Sequence, residues 1–340
     1  MGISLIEADA THRLIRLYIR YKFTIVKYCR TIVILLTFLF MRFCSFVTLI
    51  VKLTSVMDYI NIKNEVDFRS YLKKFREKGF HVIALDIEAE CNCHAYGEKL
   101  CLVQVFDGVN SVIIDPFGIS NEALKLLFED PNILKIMYDA GSDLSLMKNS
   151  ADIEIKSIFD LRPATELLNY EKKDLHSVIA FELGIVLEKK RKYQRYNWTQ
   201  RPIDGDAIYY AINDVTHLFA LKDIILAKLF AKKLFELFIL KNLQVQSKDY
   251  TRAPEDKYRK ISGYSRLQDD KKAVFRKVFD IREKYAKRYN IPAHNVIQKS
   301  DLINIVKKPK FINEMKFTKR FGPDLVKGIQ HDLKTAVRTA

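Results

Sequence analysis

Cysteine is scarce and odd in number: 340 residues carry five, Cys29, Cys44, Cys91, Cys93 and Cys101. So few thiols in so long a chain are no disulfide framework, and they point to a reducing compartment. Acid is also in deficit. Lysine and arginine total 57 against 41 aspartates and glutamates, a formal net charge of +16. A diffuse surplus of this size favours a polyanion partner such as nucleic acid, or an anionic membrane surface. Solubility or an AT-rich lysine bias would give the same excess. Internal repeats and low-complexity tracts are missing as well. A composition of 49% hydrophobic and 29% charged residues is that of a globular chain and excludes wholesale disorder. The length suits one large domain with a smaller one, or two ordinary domains.

Residues 1–56 stand apart. The run 31–53 is nearly all apolar and long enough to span a bilayer. Arg13, Arg16, Arg20, Lys22, Lys27 and Arg30 precede it with only Glu7 and Asp9 opposing, which makes a positive-inside flank. A cleavable signal peptide fits poorly, because the basic region is long and no small-residue cleavage pattern follows. Arg42 at mid-span would cost roughly 2.5–3.5 kcal/mol on insertion. Met57 then opens "DYINIKNEVDFRSYLKKF", the start of a folded domain. The preferred expectation is translation from Met57, with a membrane tether or a buried helix of the fold as alternatives.

From there the pattern is α/β. Asp67 to Lys78 has helical spacing and stops at Gly79. "HVIALDIE", "LCLVQVF" (100–106) and "SVIID" (111–115) read as strands, the last two separated by the turn signal Asp107-Gly108. A helix over 121–128, a strand over 133–138, a helix from "SDLSLMK" and a strand over 155–160 follow. "PIDGDAIYYAINDVTHLFALKDIIL" predicts one long helix with Asp204 as N-cap, and 227–244 continues in helical style. The polar, proline-bearing 246–257 reads as a linker. Beyond it a basic helical domain is expected over 258–340, with Val274, Val278, Ile281, Tyr285 and Tyr289 as one apolar stripe.

Chemistry concentrates in carboxylates. Alternate strand residues share a face, so Asp86 and Glu88 project together about 7 Å apart. Like charges that close are unfavourable in a buried place unless a cation lies between them, and hard oxygen ligands suit Mg²⁺ or Mn²⁺. Alone, D-x-E is more often an edge or a solvated face. Asp143, at the C-terminal rim of a later strand, and the Tyr210/Asp214 pair one helical turn apart turn a weak motif into an ordered set.

That set resembles the DEDDy branch of the 3′→5′ exonucleases, and within it the ribonuclease D family. The likeness runs from about residue 57 to the C-terminus. It takes in "LDIE", "LCLVQVFDG", "DAGSDL" and "NWTQRPIDGDAIYYAINDVTHL". The segment "YSRLQDDKKAVFRKVFDIREKYAKRYNIPAHNVIQKSDLINIVKKP" resembles the helical HRDC domain of ribonuclease D and RecQ-type helicases. The resemblance implies an α/β ribonuclease H-like exonuclease domain over 57–245, with a mixed sheet and flanking helices, and a small all-α HRDC-like domain over 258–340. It implies that Asp86, Glu88 and Asp214 bind one divalent cation, Mg²⁺ or Mn²⁺. Asp86 would also touch a second, Asp143 would assist through its shell, and Tyr210 would orient or help deprotonate the attacking water. The sister branch carries a histidine five residues before the last aspartate, where Tyr209 stands here. The chain departs from the family at Ala89, Tyr138, Asp139 and Tyr196, none of them a metal carboxylate.

Other candidates compete for roles. Cys91, Cys93 and His94 could bind zinc, yet no second ligand pair follows at sensible spacing. His94 and Tyr96, just past the metal strand, could instead line a substrate groove. "KKRKYQRYNW" (189–198) mixes cations with rings, as a single-strand path does; a solvated basic loop over a buried tryptophan is the plainer alternative. Arg191, Gln194, Trp198 and Arg201 are the candidate RNA contacts there, and Arg201 could equally bridge loop and helix. The expected activity is trimming of structured RNA such as tRNA precursors by a cytoplasmic monomer without a small-molecule cofactor. The alternatives are a helicase-associated type of DNA exonuclease, a silent RNA-binding adaptor, and a membrane-tethered nuclease should the leader be real.

Overall fold

The apolar run that carries Asp86 becomes the longest strand of a six-stranded sheet. The computed structural model of the chain describes residues 58–187, 192–253, 256–318 and 321–338. The 1–56 leader with its expected anchor, and Arg191, lie outside the described residues. The strands β1 (Tyr59–Ile62), β2 (Val82–Cys91), β3 (Glu98–Phe106), β4 (Ser111–Ile114), β5 (Leu134–Met137) and β6 (Ile158–Asp160) pair in the order β1-β4-β3-β2-β5-β6. β2 is antiparallel to β3 and parallel to β5, β3 is antiparallel to β4, and the two edge pairings are parallel. The β3–β4 turn forms where expected: Asp107 Oδ1 accepts from the backbone N–H of Val109 and Asn110, and Gly108 supplies a φ of +92°. A mixed sheet of this kind with flanking helices is the α/β ribonuclease H-like architecture expected.

Period-two alternation sorts the side chains of β2. Ile83, Leu85 and Ile87 enter one core with α1 (Glu65–Glu77), α2 (Asn121–Phe128) and α3 (Gly141–Ala151). Ala84 enters a second core with α4 (Arg162–Leu167), α5 (Leu175–Leu183), α6 (Gly205–Thr216), α7 (Leu218–Ala231) and α8 (Phe235–Ser247). Asp86 and Glu88 share the phase of Ala84, so they lie on the α5–α6 side of the sheet. The register with β3 shifts between Glu88 and Ala89, just beyond the second carboxylate.

Helix ends follow local chemistry. Asn64 caps α1 by accepting from Asp67 N–H, and Gly79 follows its end at φ +70°. Asp204 caps α6, accepting from Asp206 N–H at 3.0 Å. The single long helix expected beyond it is divided, because α6 stops at Thr216 and α7 starts at Leu218. Thr216 donates its hydroxyl to the Ile212 carbonyl at 2.8 Å, a bond that bends helices where it competes with the backbone ladder. The helical stretch over 227–244 is likewise divided at Lys233, which takes φ +56°.

A third core lies in the C-terminal region, where α9 (Asp269–Tyr289), α10 (Lys299–Lys307) and α11 (Pro323–Arg338) bury Phe275, Leu302, Ile305, Ile329 and Leu333. Of the predicted stripe, Val274, Val278 and Tyr285 are buried, Ile281 packs partly against them, and Tyr289 stays at the surface. The expected linker is tied down over much of its length. Asn149 on α3 donates to Tyr250 O and accepts from Arg252 N–H, both at 2.8 Å, and Arg252 pairs with Glu98 at 2.5 Å. The loop after β2 meets α9 directly, with Tyr96 Oη donating to Glu283 at 3.1 Å. Among the described residues no helix is long and apolar enough to cross a membrane.

Buried polar groups join sheet to helix. Asn242 on α8 accepts from Asp160 N–H at 2.7 Å and donates to the Asp160 and Phe238 carbonyls at 3.3 Å. Asn242→Leu strands the Asp160 N–H in a dry place and should cost about 1–3 kcal/mol, read as a lower urea midpoint at unchanged slope.

Candidate metal centre

Asp86 and Glu88 from β2 and Asp214 from α6 each bring a carboxylate oxygen within 4.8 Å of the others. Among the described residues this is the only His, Cys, Asp or Glu group so arranged. Asp143, in the first turn of α3, completes an acidic quartet: its charge helps push the proton affinities of both Asp86 and Glu88 well above the carboxylate range. Burial is the largest cause for each, and Asp214 adds to both. Burial also pushes Asp143 up to about 7, opposed by its Ser142 hydroxyl bond and reinforced by Asp139 and Asp160. Asp214 is raised by burial against the stabilising bond of His176. Four such groups cannot all hold their charge side by side unless cations neutralise them. The donors are all hard oxygens, so the cluster fits a hard divalent cation.

Each carboxylate is held by an identifiable piece of chain. The turn into α3 puts Asp139 at φ +60°, a left-handed position that a short acidic side chain tolerates. Buried Asp160 stabilises this turn, accepting from Asp139 N–H at 2.8 Å and Ala140 N–H at 3.1 Å. Tyr196 Oη accepts from Asp204 N–H at 3.0 Å and so anchors the start of α6, the helix of Tyr210 and Asp214. Tyr210 lies one turn before Asp214, its ring 5.2 Å from the buried Tyr193 ring and 6.0 Å from the His176 ring. Burial, then the charges of Asp214, Glu88 and Asp86, hold its hydroxyl protonated well above the usual tyrosine range.

The remaining candidates divide. His94 turns its Nδ1 to within 3.3 Å of buried Glu90, whose carboxylate also accepts the N–H groups of Cys93 and His94. Cys91 ends β2, Cys93 and His94 lie in the turn held by Glu90, and among the described residues no metal-ligand group includes them. Tyr96 belongs to the α9 contact. In the basic loop the rings turn inward and the polar chains outward: Tyr193 and Trp198 are buried, while Lys192, Gln194 and Arg195 are exposed. Two expected RNA contacts need correction. Trp198 is 3% exposed and packs edge-on against Tyr196, which leaves no face for a base. Arg201 spends its guanidinium on Asp115, with bonds of 2.6 and 3.0 Å, and on the carbonyls of Cys101, Trp198 and Gln200, so it is structural, tying the loop to the β3–β4 part of the sheet and not to a helix. His176 and Asp160 are site residues that sequence reasoning missed. Asp174 as an N-cap places His176 in the first turn of α5, but nothing in the spacing aims it at Asp214.

An α/β sheet with an acidic, cation-fitting cluster between a central strand and two helices is an arrangement suited to metal-assisted phosphoester chemistry. Residues 59–229 match the 3′-5′ exonuclease family model, and the chain belongs to that family. It is 29% identical over 252 residues to ribonuclease D of Desulfotalea psychrophila, covering 72% of this chain and 66% of the relative. With ribonuclease D of Escherichia coli it shares 25% over 241 residues, 68% of this chain and 61% of that one. The chain thus spans less than two thirds of the length of these relatives. Two solved structures share the fold at 22% identity. The catalytic core of RRP6 from Trypanosoma brucei has a TM-score of 0.66 and covers 84% of this chain and 82% of its own. Escherichia coli RNase D, an exoribonuclease involved in structured RNA processing, has a TM-score of 0.64 and covers 83% and 75%.

Titration follows from the crowding. Without cations, native Asp143 keeps its proton up to about 7, whereas an unfolded aspartate releases it near 3.8. The folded state binds more protons in that window, so stability falls as pH rises through it, by about 1.4 kcal/mol per pH unit for one proton. Asp143→Asn removes the Asp143 share of this dependence and leaves that of Asp86, Glu88 and Asp214. The melting temperature of the metal-free wild type should therefore drop relative to the variant between about pH 4 and 7, and saturating Mn²⁺ should abolish the drop.

Proposed function

We propose that the chain is a ribonuclease D-like 3′→5′ exoribonuclease that trims structured RNA such as tRNA precursors. The observation that carries this reading is the convergence of Asp86, Glu88 and Asp214, with Asp143 and Tyr210 beside them, in a member of the 3′-5′ exonuclease family. Two cations, Mg²⁺ or Mn²⁺, held by Asp86, Glu88 and Asp214, with Asp86 shared and Asp143 acting through a shell, would supply Lewis-acid polarisation of the phosphate and a more acidic attacking water. Tyr210, one turn before Asp214, would orient the attacking water or help deprotonate it. Asp160 and Tyr196 fix the two helix starts on which Asp143 and the Tyr210/Asp214 pair depend.

The surplus of positive charge supports an RNA partner, with exposed Lys192, Gln194 and Arg195 at the path of the strand and exposed His94 a further candidate contact. The separate core within the described part of 258–340 supports its reading as an HRDC-like grip on RNA, with 57–245 as the exonuclease domain and 246–257, tied down at Tyr250 and Arg252, between them. Free thiols at Cys91, Cys93 and Cys101 suit the cytoplasm.

Asp214→Asn should abolish shortening of 5′-labelled RNA while leaving RNA affinity within a few-fold of wild type in a filter-binding assay; retained cleavage would refute the metal assignment. Tyr210→Phe should lower kcat about 10²- to 10⁴-fold with little change in KM. Matched RNA and DNA strands digested in parallel decide the substrate: preference for RNA supports the proposal, and preference for DNA replaces it with the DNA exonuclease alternative.

A further inference from the structure

We propose that His176 is the positioning residue that fixes Asp214 as a metal ligand. His176 Nε2 lies 2.9 Å from Asp214 Oδ1, and both side chains are only 13% exposed, so water competes little for the bond. His176 is not among the residues whose ligand atoms fall within 4.8 Å of one another. It acts on the ligand from behind, outside the group that meets the ion.

The support for His176 is built into the fold. It is the second residue of α5, whose N-cap Asp174 accepts from Ser177 N–H at 3.1 Å. Tyr138, at the end of β5, donates its hydroxyl to the Lys173 carbonyl just before that cap. Tyr138 is one of the positions where the chain departs from the ribonuclease D pattern, and here its hydroxyl ties the start of α5 to the strand that leads into Asp143. Sheet, α5 and α6 are thereby closed into one loop of contacts: Tyr138 to Lys173, His176 to Asp214.

The physical effect is on the carboxylate. An aspartate on a helix rotates about two side-chain bonds, and ordering it costs entropy whenever a cation binds. An imidazole N–H donated from Nε2 to Oδ1 would set the plane of the carboxylate and leave its other oxygen free for a cation. The hydrogen bond is then in place before the ion arrives. Outer partners of this kind are commonly worth about 10- to 100-fold in metal affinity.

This inference rests on the metal reading of the acidic cluster. It is tested by calorimetric titration of Mn²⁺ into the full-length metal-free protein, with no activity measurement. His176→Leu removes the donor, His176→Gln returns an amide N–H near the position of Nε2, and His176→Asn holds one that is too short to reach Asp214. The expected result is a Kd for Mn²⁺ about 10- to 100-fold weaker in the Leu and Asn variants and largely restored in the Gln variant. Melting temperatures of the metal-free variants separate this from a folding role, which would lower stability and leave the Kd of the folded protein unchanged. Wild-type affinity in both the Leu and Asn variants, or no recovery with Gln, overturns the proposal. Mn²⁺ binding absent from the wild type overturns the metal reading itself, and this proposal with it.

Discussion

Everything around the site answers one constraint: four carboxylates from three separate elements must stand together where their charges repel. Asp86, Glu88, Asp143 and Asp214 are each raised above the ordinary carboxylate range, with burial the largest cause in every case. A fold gains nothing in stability from such an arrangement. It persists because the elements that carry it are held from outside the cluster. Two well-filled hydrophobic cores clamp β2, and hydrogen bonds fix the start of each helix that delivers an acid. Relief comes with cations, which replace protons and repulsion at one stroke.

The anchoring is done largely by side chains away from the carboxylates. Asp160 receives the turn into α3, and Asn242 holds Asp160 from α8. Tyr196 receives the start of α6, Tyr138 ties the start of α5, and His176 meets Asp214 itself. Two of these, Tyr138 and Tyr196, use their hydroxyls to hold the starts of α5 and α6. The loop over 192–201 has the same character: Trp198, Tyr193 and Arg201 bind the frame, and the exposed polar chains between them remain for a partner.

What could be read from the sequence follows the range of the interactions. Alternation along β2 and the four-residue step from Tyr210 to Asp214 are local periodicities, so the shared faces of those residues were legible. Asp143 was legible as a carboxylate at the rim of a parallel strand. The Asp204 cap and the Asp107-Gly108 turn are short-range chemistry and appear where expected. His176 and Asp160 were illegible because their partners lie 38 and about 20 residues away and no motif links them. Trp198 and Arg201 misled for a related reason: rings and cations in one loop resemble a nucleic-acid path until burial shows which way each side chain turns. The division at His217 was hidden too, because the apolar stripe passes through it uninterrupted.

The central claim is that this cluster removes nucleotides from the 3′ end of RNA and does so only with a divalent cation. The most direct measurement is incubation of the full chain with a 5′-labelled RNA carrying a 3′ extension, in Mg²⁺ or Mn²⁺ and in chelator, with the released products separated. The account predicts a ladder of 5′-labelled fragments shortening one nucleotide at a time, nucleoside 5′-monophosphates as the released species, and no reaction in chelator. Internal cuts, shortening that persists in chelator, or an RNA left intact with either cation would contradict it.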